Sequence, residues 1–308
     1  MKRTTTTPGR VLSAIILLLA LSVPVRALEV GTDFSLSNLN FSTSRTPAET
    51  GFQPCYVPLE YGAYLHHGID DGTGITLGFR SDRILKRMLY GLFSYSSDYY
   101  VLEGGPFFGL FNTAETPVNP GISAAVTLQI PGQVFLRLET TRNLALEKIF
   151  SGDGLSPGLS SVGDYVQEDS RFALGLYAGN TIVSFAVRSR LYTVVDADYG
   201  TVVDSLTDYT MATDIFQKNA PFKPMISFTY RSLSKNFIDA APRTRHTAGS
   251  LVLGTRVDLT FHRHLTAYID LESGFYTFGL DDLIGEFGGD HFFFTGSLGF
   301  RLDLDLLK

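Results

Sequence analysis

Tryptophan is absent from this chain of 308 residues, and there is one cysteine, Cys55. A single cysteine excludes an internal disulfide, and a chain of this length does not need one to fold. Cys55 reads as an unpaired loop residue. Long apolar runs are missing after the first two dozen positions, which excludes a membrane-spanning helix from the body of the chain. It does not exclude barrel strands, whose hydropathy signal is much weaker. A basic cluster is also missing, and the formal net charge is −6. An acidic chain without such a cluster is no nucleic-acid binder. Helical periodicity is nearly absent, with only Arg83–Tyr90 and Leu144–Phe150 as short helix candidates. The missing tryptophan removes one residue favoured at membrane interfaces, but 24 Phe and 15 Tyr are enough to build an aromatic girdle.

The N-terminus has the form of a secretory signal peptide. Lys2, Arg3 and Arg10 precede an apolar run from Val11 to Val23, followed by Pro24 and the small-residue pattern Val25-Arg26-Ala27. Cleavage is expected after Ala27, which assigns residues 1–27 to the signal and 28–308 to one domain. No cysteine sits at the end of the run, so a lipoprotein anchor is not expected.

What the chain does have is alternation. In "LGFRLDLDLL", residues 298–307, every second residue from Leu298 to Leu306 is apolar, while Arg301, Asp303 and Asp305 lie between. Period two marks a β-strand with unlike faces. Comparable patterns occur at 28–41, 57–66, 75–80, 88–95, 99–111, 122–130, 134–142, 171–178, 181–191, 250–261, 265–278 and 292–305. Most are near the length a tilted strand needs to cross a bilayer, whereas soluble strands average about five or six residues. Tight turns at Ser96–Asp98, Pro131–Gln133, Gly179-Asn180 and His262–His264 alternate with long polar stretches at 144–170, 192–249 and 280–290. Short turns at one end and long loops at the other are the hairpin pattern of outer-membrane barrels. The pattern predicts about twelve strands. A further strand-like stretch, "PFKPMISFTYR" at 221–231, raises the count to fourteen if Thr201–Ile215 supplies its partner.

The two faces of these strands differ sharply. In the clearest strands the apolar registers, such as Leu251-Leu253-Val257-Leu259-Phe261 and Phe292-Phe294-Leu298-Phe300-Leu302, carry no charge. The opposite registers carry Arg137, Glu139, Arg188, Arg190, Arg256, Asp258, Asp270, Glu272, Arg301, Asp303 and Asp305. A charge facing lipid near the bilayer midplane costs roughly 2–4 kcal/mol, so such exclusion is expected of a lipid-facing register. The charged residues are the candidate lumen lining, where they would select solutes by charge. Their interleaved signs also permit ion pairs that only fill the interior. A soluble sandwich with the apolar face hidden between two sheets is the competing architecture.

Motifs for chemistry are weak. "HTAGS" at 246–250 holds a His and a Ser, but in a loop-to-strand setting. Asp281, Asp282 and His291 flank one loop without forming a recognisable catalytic set. "DADYGTVVD" at 196–204 lacks the glutamate that completes a calcium loop. His66-His67 and His262-x-His264 lack zinc-site spacing, and "DDGTG" at 70–74 reads as a turn. No catalytic residue, metal or cofactor is assigned.

The segments "LEVGTDFSLSNLNFS" (28–42), "GGPFFGLFN" (104–112) and "NPGIS" (119–123) resemble predicted outer-membrane β-barrel proteins of spirochaetes, treponemes especially. The resemblance implies an outer-membrane location and the outer-membrane assembly machinery as a partner. One departure is the chain end, Leu306-Leu307-Lys308, where such barrels often close on an aromatic residue.

The resulting reading is all-β: a single antiparallel transmembrane β-barrel of about twelve strands, alternatively fourteen, in the cell outer membrane. Its expected role is a passive, non-enzymatic channel or small-molecule transporter, embedded in the lipid bilayer and passing small solutes. A surface adhesin that uses the barrel as an anchor and the stretches 143–170 and 192–249 as binding loops is the second reading. A secreted soluble β-protein is the third.

Overall fold

The computed structural model describes residues 27–37, 59–81, 87–110, 118–143, 165–196, 200–215, 220–238, 244–262, 264–278 and 292–304. They form fourteen strands in one closed antiparallel barrel. The first seven are β1 (Ala27–Ser37), β2 (Leu59–Gly68), β3 (Thr73–Ser81), β4 (Arg87–Ser96), β5 (Tyr100–Leu110), β6 (Val118–Ile130) and β7 (Val134–Asn143). The second seven are β8 (Tyr165–Ala178), β9 (Thr181–Asp196), β10 (Gly200–Ile215), β11 (Phe222–Phe237), β12 (Thr244–His262), β13 (Leu265–Phe278) and β14 (Phe292–Leu304). Each strand pairs with its neighbours in sequence, and β1 closes the ring on β14 from Leu28↔Leu304 to Ser37↔Thr295. Closure leaves no free sheet edge, which a barrel in lipid requires because hydrocarbon offers backbone groups no partner.

Twelve strands is therefore an undercount, and the alternative of fourteen holds. The missing pair is β10 and β11, which lie inside the stretch 192–249 read as loop. In β10 the outward register includes Val203, Ser205, Thr207, Tyr209, Met211, Thr213 and Ile215, while Leu206 faces inward and is buried. Hydroxyls on the outer face and an aliphatic on the inner face blur the period-two signal. β8 likewise begins at Tyr165, and β12 starts at Thr244, so the long polar stretches are shorter than the sequence suggests. Residues 87–90, read as part of a helix, belong to β4. The helix candidate Leu144–Phe150 lies outside the described residues.

Six connections lie at one end of the barrel: 69–72, 97–99, 131–133, 179–180, 216–221 and 263–264. Both ends of the described chain are at this same end, as an even strand number demands. In the first connection Asp70 Oδ1 accepts bonds from the backbone N–H of Gly72 (2.9 Å) and Thr73 (2.6 Å). The "DDGTG" stretch is thus the turn that its composition indicates. Gly132 (φ 72°) and Gly179 (φ 65°) take left-handed conformations in two of the tight hairpins, as residues without a Cβ do readily.

The pairing registers assign every strand residue a face. The outward register is apolar and exposed: Phe93, Leu128, Leu138, Leu176, Phe185, Met211, Phe228, Leu253, Leu271 and Leu298 are among its members. Among outward side chains that are described, Arg142, Glu168 and Arg245 are the only Asp, Glu, Lys or Arg, and all three lie at the long-connection end. Between Leu251 and Phe261 on β12 the apolar register advances about ten residues, which at about 3.3 Å each and roughly 40° tilt gives about 25 Å, a hydrocarbon thickness. Aromatic pairs border the band: Tyr61–Phe79 (5.8 Å between ring centroids) and Tyr209–Tyr230 (6.3 Å) toward one end, Tyr95–Tyr100 (5.9 Å) toward the other. Such girdles sit at bilayer interfaces.

Candidate functional site: the barrel lumen

With the apolar register turned out, most of the charge on the strands turns in. Ten of the eleven charged residues picked out by alternation lie on the inward register: Arg137 and Glu139 on β7, Arg188 and Arg190 on β9, Arg256 and Asp258 on β12, Asp270 and Glu272 on β13, Arg301 and Asp303 on β14. Asp305 lies outside the described residues. The lumen also holds Glu29, Asp33, Arg80, Glu103, Asp169, Arg171, Asp208, Asp214, Lys223 and Arg231, which the sequence reading did not select. Asp208, Asp214, Lys223 and Arg231 belong to the two strands left uncounted. Asp169 lies in the polar stretch 144–170, and Gly104-Gly105-Pro106 interrupts the alternation beside Glu103.

One transverse row carries much of this charge. It passes from Glu103 (β5) over Ala125 to Glu139 (β7), Arg171 (β8), Arg188 (β9), Asp208 (β10) and Arg231 (β11). Arg171 and Arg188 face each other directly, a like-charge contact that acids on either side relieve. Asp169 Oδ1 accepts from Arg188 Nε (2.9 Å), and Glu139 Oε2 lies 3.9 Å from Arg171 Nη1. Arg137 Nε donates to Glu139, its Nη1 to Thr127 Oγ1 (3.0 Å) and its Nη2 to Glu103 Oε2 (2.7 Å), which ties β5, β6 and β7 together. On β10 and β11, Arg231 binds Asp208 through two bonds of 2.7 and 3.1 Å and reaches Glu272 of β13 at 3.4 Å. Arg190 Nη2 lies 3.5 Å from the same Asp208. This last group is covered by its neighbours, with the Arg231 side chain only 7% exposed. A buried guanidinium persists there because two carboxylates compensate it.

From β13 through β14 and β1 to β8 the inner wall has a second feature. Inward aromatic rings lie over glycines directly opposite them on the next strand: Tyr64 over Gly31, Tyr90 over Gly78, Phe107 over Gly121, Phe135 over Gly175 and Tyr268 over Gly299. A Cβ at any of these glycines would come within 2.0–2.1 Å of a ring carbon. Laying a ring flat across a glycine keeps it against the wall and out of the lumen's centre. Tyr64 Oη also donates to Glu29 Oε1 (2.7 Å), and Glu29 Oε2 lies 3.9 Å from Arg301 Nε, so β2, β1 and β14 are linked across the closing seam. Arg256 donates to Asp258 (2.9 Å) and stands 4.4 Å above the Tyr268 ring.

The lumen is wet. Side chains on the inward register retain substantial exposure, 46% for Arg171 and 55% for Arg301, although they point away from the barrel's exterior. The arrangement can therefore present fixed charges and phenols to a solute in water. Among the described residues no three His, Cys, Asp or Glu side chains gather as a metal site would require. His66 bonds Thr76 Oγ1 (2.8 Å) within the wall, and the HTAGS stretch lies in β12. Cys55, Asp198, Asp281, Asp282 and His291 lie outside the described residues.

No family model matches the sequence. No curated protein matches it. Solved structures do share its fold. CymD, a monoaromatic hydrocarbon channel, superposes with a TM-score of 0.52 at 7% identity, covering 91% of this chain and 89% of that one. An outer-membrane channel from Pseudomonas putida F1 gives a TM-score of 0.50 at 12% identity, covering 92% of this chain and 97% of that one. At these identities the likeness is one of fold, and the fold is that of outer-membrane barrels.

Proposed function

We propose that this protein is a passive channel of the cell outer membrane, with no catalytic step, that admits small polar solutes through a charged lumen. The observation that carries the reading is the separation of the two registers. An outer face free of charge across a hydrocarbon thickness surrounds an inner face that concentrates ionised, solvent-exposed groups. Lipid explains the first and water the second. The resemblance of two solved neighbours to this fold is consistent with a channel, since both are described as channels. Export by the N-terminal signal and insertion by the outer-membrane assembly machinery belong to the same proposal. A fourteen-strand ring lies between eight-strand barrels filled by side chains and porins of sixteen or more strands with aqueous channels. Here glycines on the inner wall and rings laid flat against it leave room. The test is conductance of the purified full-length protein in planar bilayers. Discrete steps that scale with salt concentration are expected, and the absence of steps from heat-modifiable, correctly folded protein would refute the reading.

A further inference from the structure

Away from the ion-pair row, one inward row runs Tyr268 (β13), Gly299 (β14), Asp33 (β1), Gly62 (β2), Arg80 (β3) and Met88 (β4). The adjoining row runs Arg301, Gly31, Tyr64, Gly78 and Tyr90. Together they form a trough floored by glycine and flanked by three phenols. Asp33 and Arg80 stand in the same row two strands apart, about 10 Å between Cα atoms at the usual strand spacing. Only Gly62 separates them, and the Asp33 carboxylate leans over it, 2.5 Å from where a Cβ would be.

Most inward arginines are tied to a carboxylate. Arg80 and Asp33 are not: among the described residues neither has an ion-pair partner within 4.0 Å. Tyr268 stands in the same row as both, and Tyr90 in the adjoining one. The Arg80 side chain is exposed on the inward register, open to the lumen. Two opposite charges are thus left open on either side of a glycine, beside flat ring surfaces. A lone anion at Arg80 would be opposed by Asp33, two strands away in the same row. A lone cation at Asp33 would be opposed by Arg80 and Arg256. A solute carrying both charges satisfies both groups at once.

We infer that this row is a subsite for small zwitterions of the amino-acid kind, with the solute carboxylate on the Arg80 guanidinium and its ammonium group on the Asp33 carboxylate. The inference rests on the channel reading, because the subsite matters only if solutes traverse the lumen. It requires charge-assisted bonds at both ends, and these are the strong kind.

The experiment is calorimetric titration of the full-length protein in detergent with alanine, lactate and ethylamine, beside planar-bilayer recording of ion current with the same three solutes. Saturable alanine binding is expected, at least tenfold tighter than that of lactate or ethylamine, with a matching concentration-dependent reduction of current. Arg80→Gln and Asp33→Asn should each weaken alanine binding about tenfold or more, while Arg142→Gln, at the barrel's outer rim, should not. Equal affinities for the three solutes, or no alanine binding, would overturn the subsite even if neither variant folds. Current steps without alanine binding would leave the channel reading standing and end this one. Alanine binding without current steps would keep the subsite and end the channel reading.

Discussion

At the scale of residues, two kinds of position carry the barrel. The first is a glycine beneath a ring. Gly31→Ala, Gly78→Ala and Gly299→Ala each place a methyl group about 2 Å from a tyrosine ring carbon. Forcing the ring off the wall should cost about 1–3 kcal/mol, measured as a lower urea midpoint in detergent. Gly296→Ala, where the new carbon would sit 3.5 Å from Leu271 Cδ2 in ordinary contact, should be close to neutral. The second is the buried guanidinium. Arg231→Ala removes both bonds to Asp208, which keeps Arg190 at 3.5 Å, and the contact with Glu272, and should cost about 3–5 kcal/mol. Arg142→Ala breaks the exposed pair with Glu168, whose arginine is 64% exposed, and should cost about 1 kcal/mol or less. Near-equal losses in the two arginine variants would show that burial of the Arg231 network contributes nothing.

At the scale of elements, legibility depended on contrast between faces. β14 was plain because Phe292 to Leu304 alternates without a break against Ser297, Arg301 and Asp303. β10 was not, because Thr207, Thr213 and Ser205 face out while Leu206 and Ala212 face in. Fourteen strands imply that the amides of 200–215 and 222–237 are protected from hydrogen exchange as well as those of β12. Exchange of these two segments at unstructured rates would restore the loop reading of 192–249 and the count of twelve. The two faces of a single strand offer a sharper contrast. Leu298→Arg puts a charge into the lipid-facing register and should cost roughly 2–4 kcal/mol and impair assembly. Ser297→Arg, one residue away, faces the lumen opposite Asp270 and should be tolerated. Heat-modifiable gel migration reports both.

At the scale of the whole molecule, the sequence carried the architecture further than the site. The ten charges that alternation picks out share the inward register, since a residue's face follows from its register alone. Alternation could not say which of them pair, because Arg231 meets Glu272 only when β11, β12 and β13 are laid side by side. Nor could it bring Asp33 and Arg80 into one row, since that depends on both the β1–β2 and the β2–β3 registers. The central claim is that hydrocarbon surrounds this ring of strands and water fills it. Spin labels placed singly at positions 251–259 of β12, in a Cys55→Ser background reconstituted into lipid vesicles, test it most directly. The account requires collisions with oxygen to peak at 251, 253, 255, 257 and 259, and collisions with a water-soluble nickel chelate to peak at the positions between. Uniform access to the chelate along the segment, or oxygen and chelate maxima at the same positions, would contradict it.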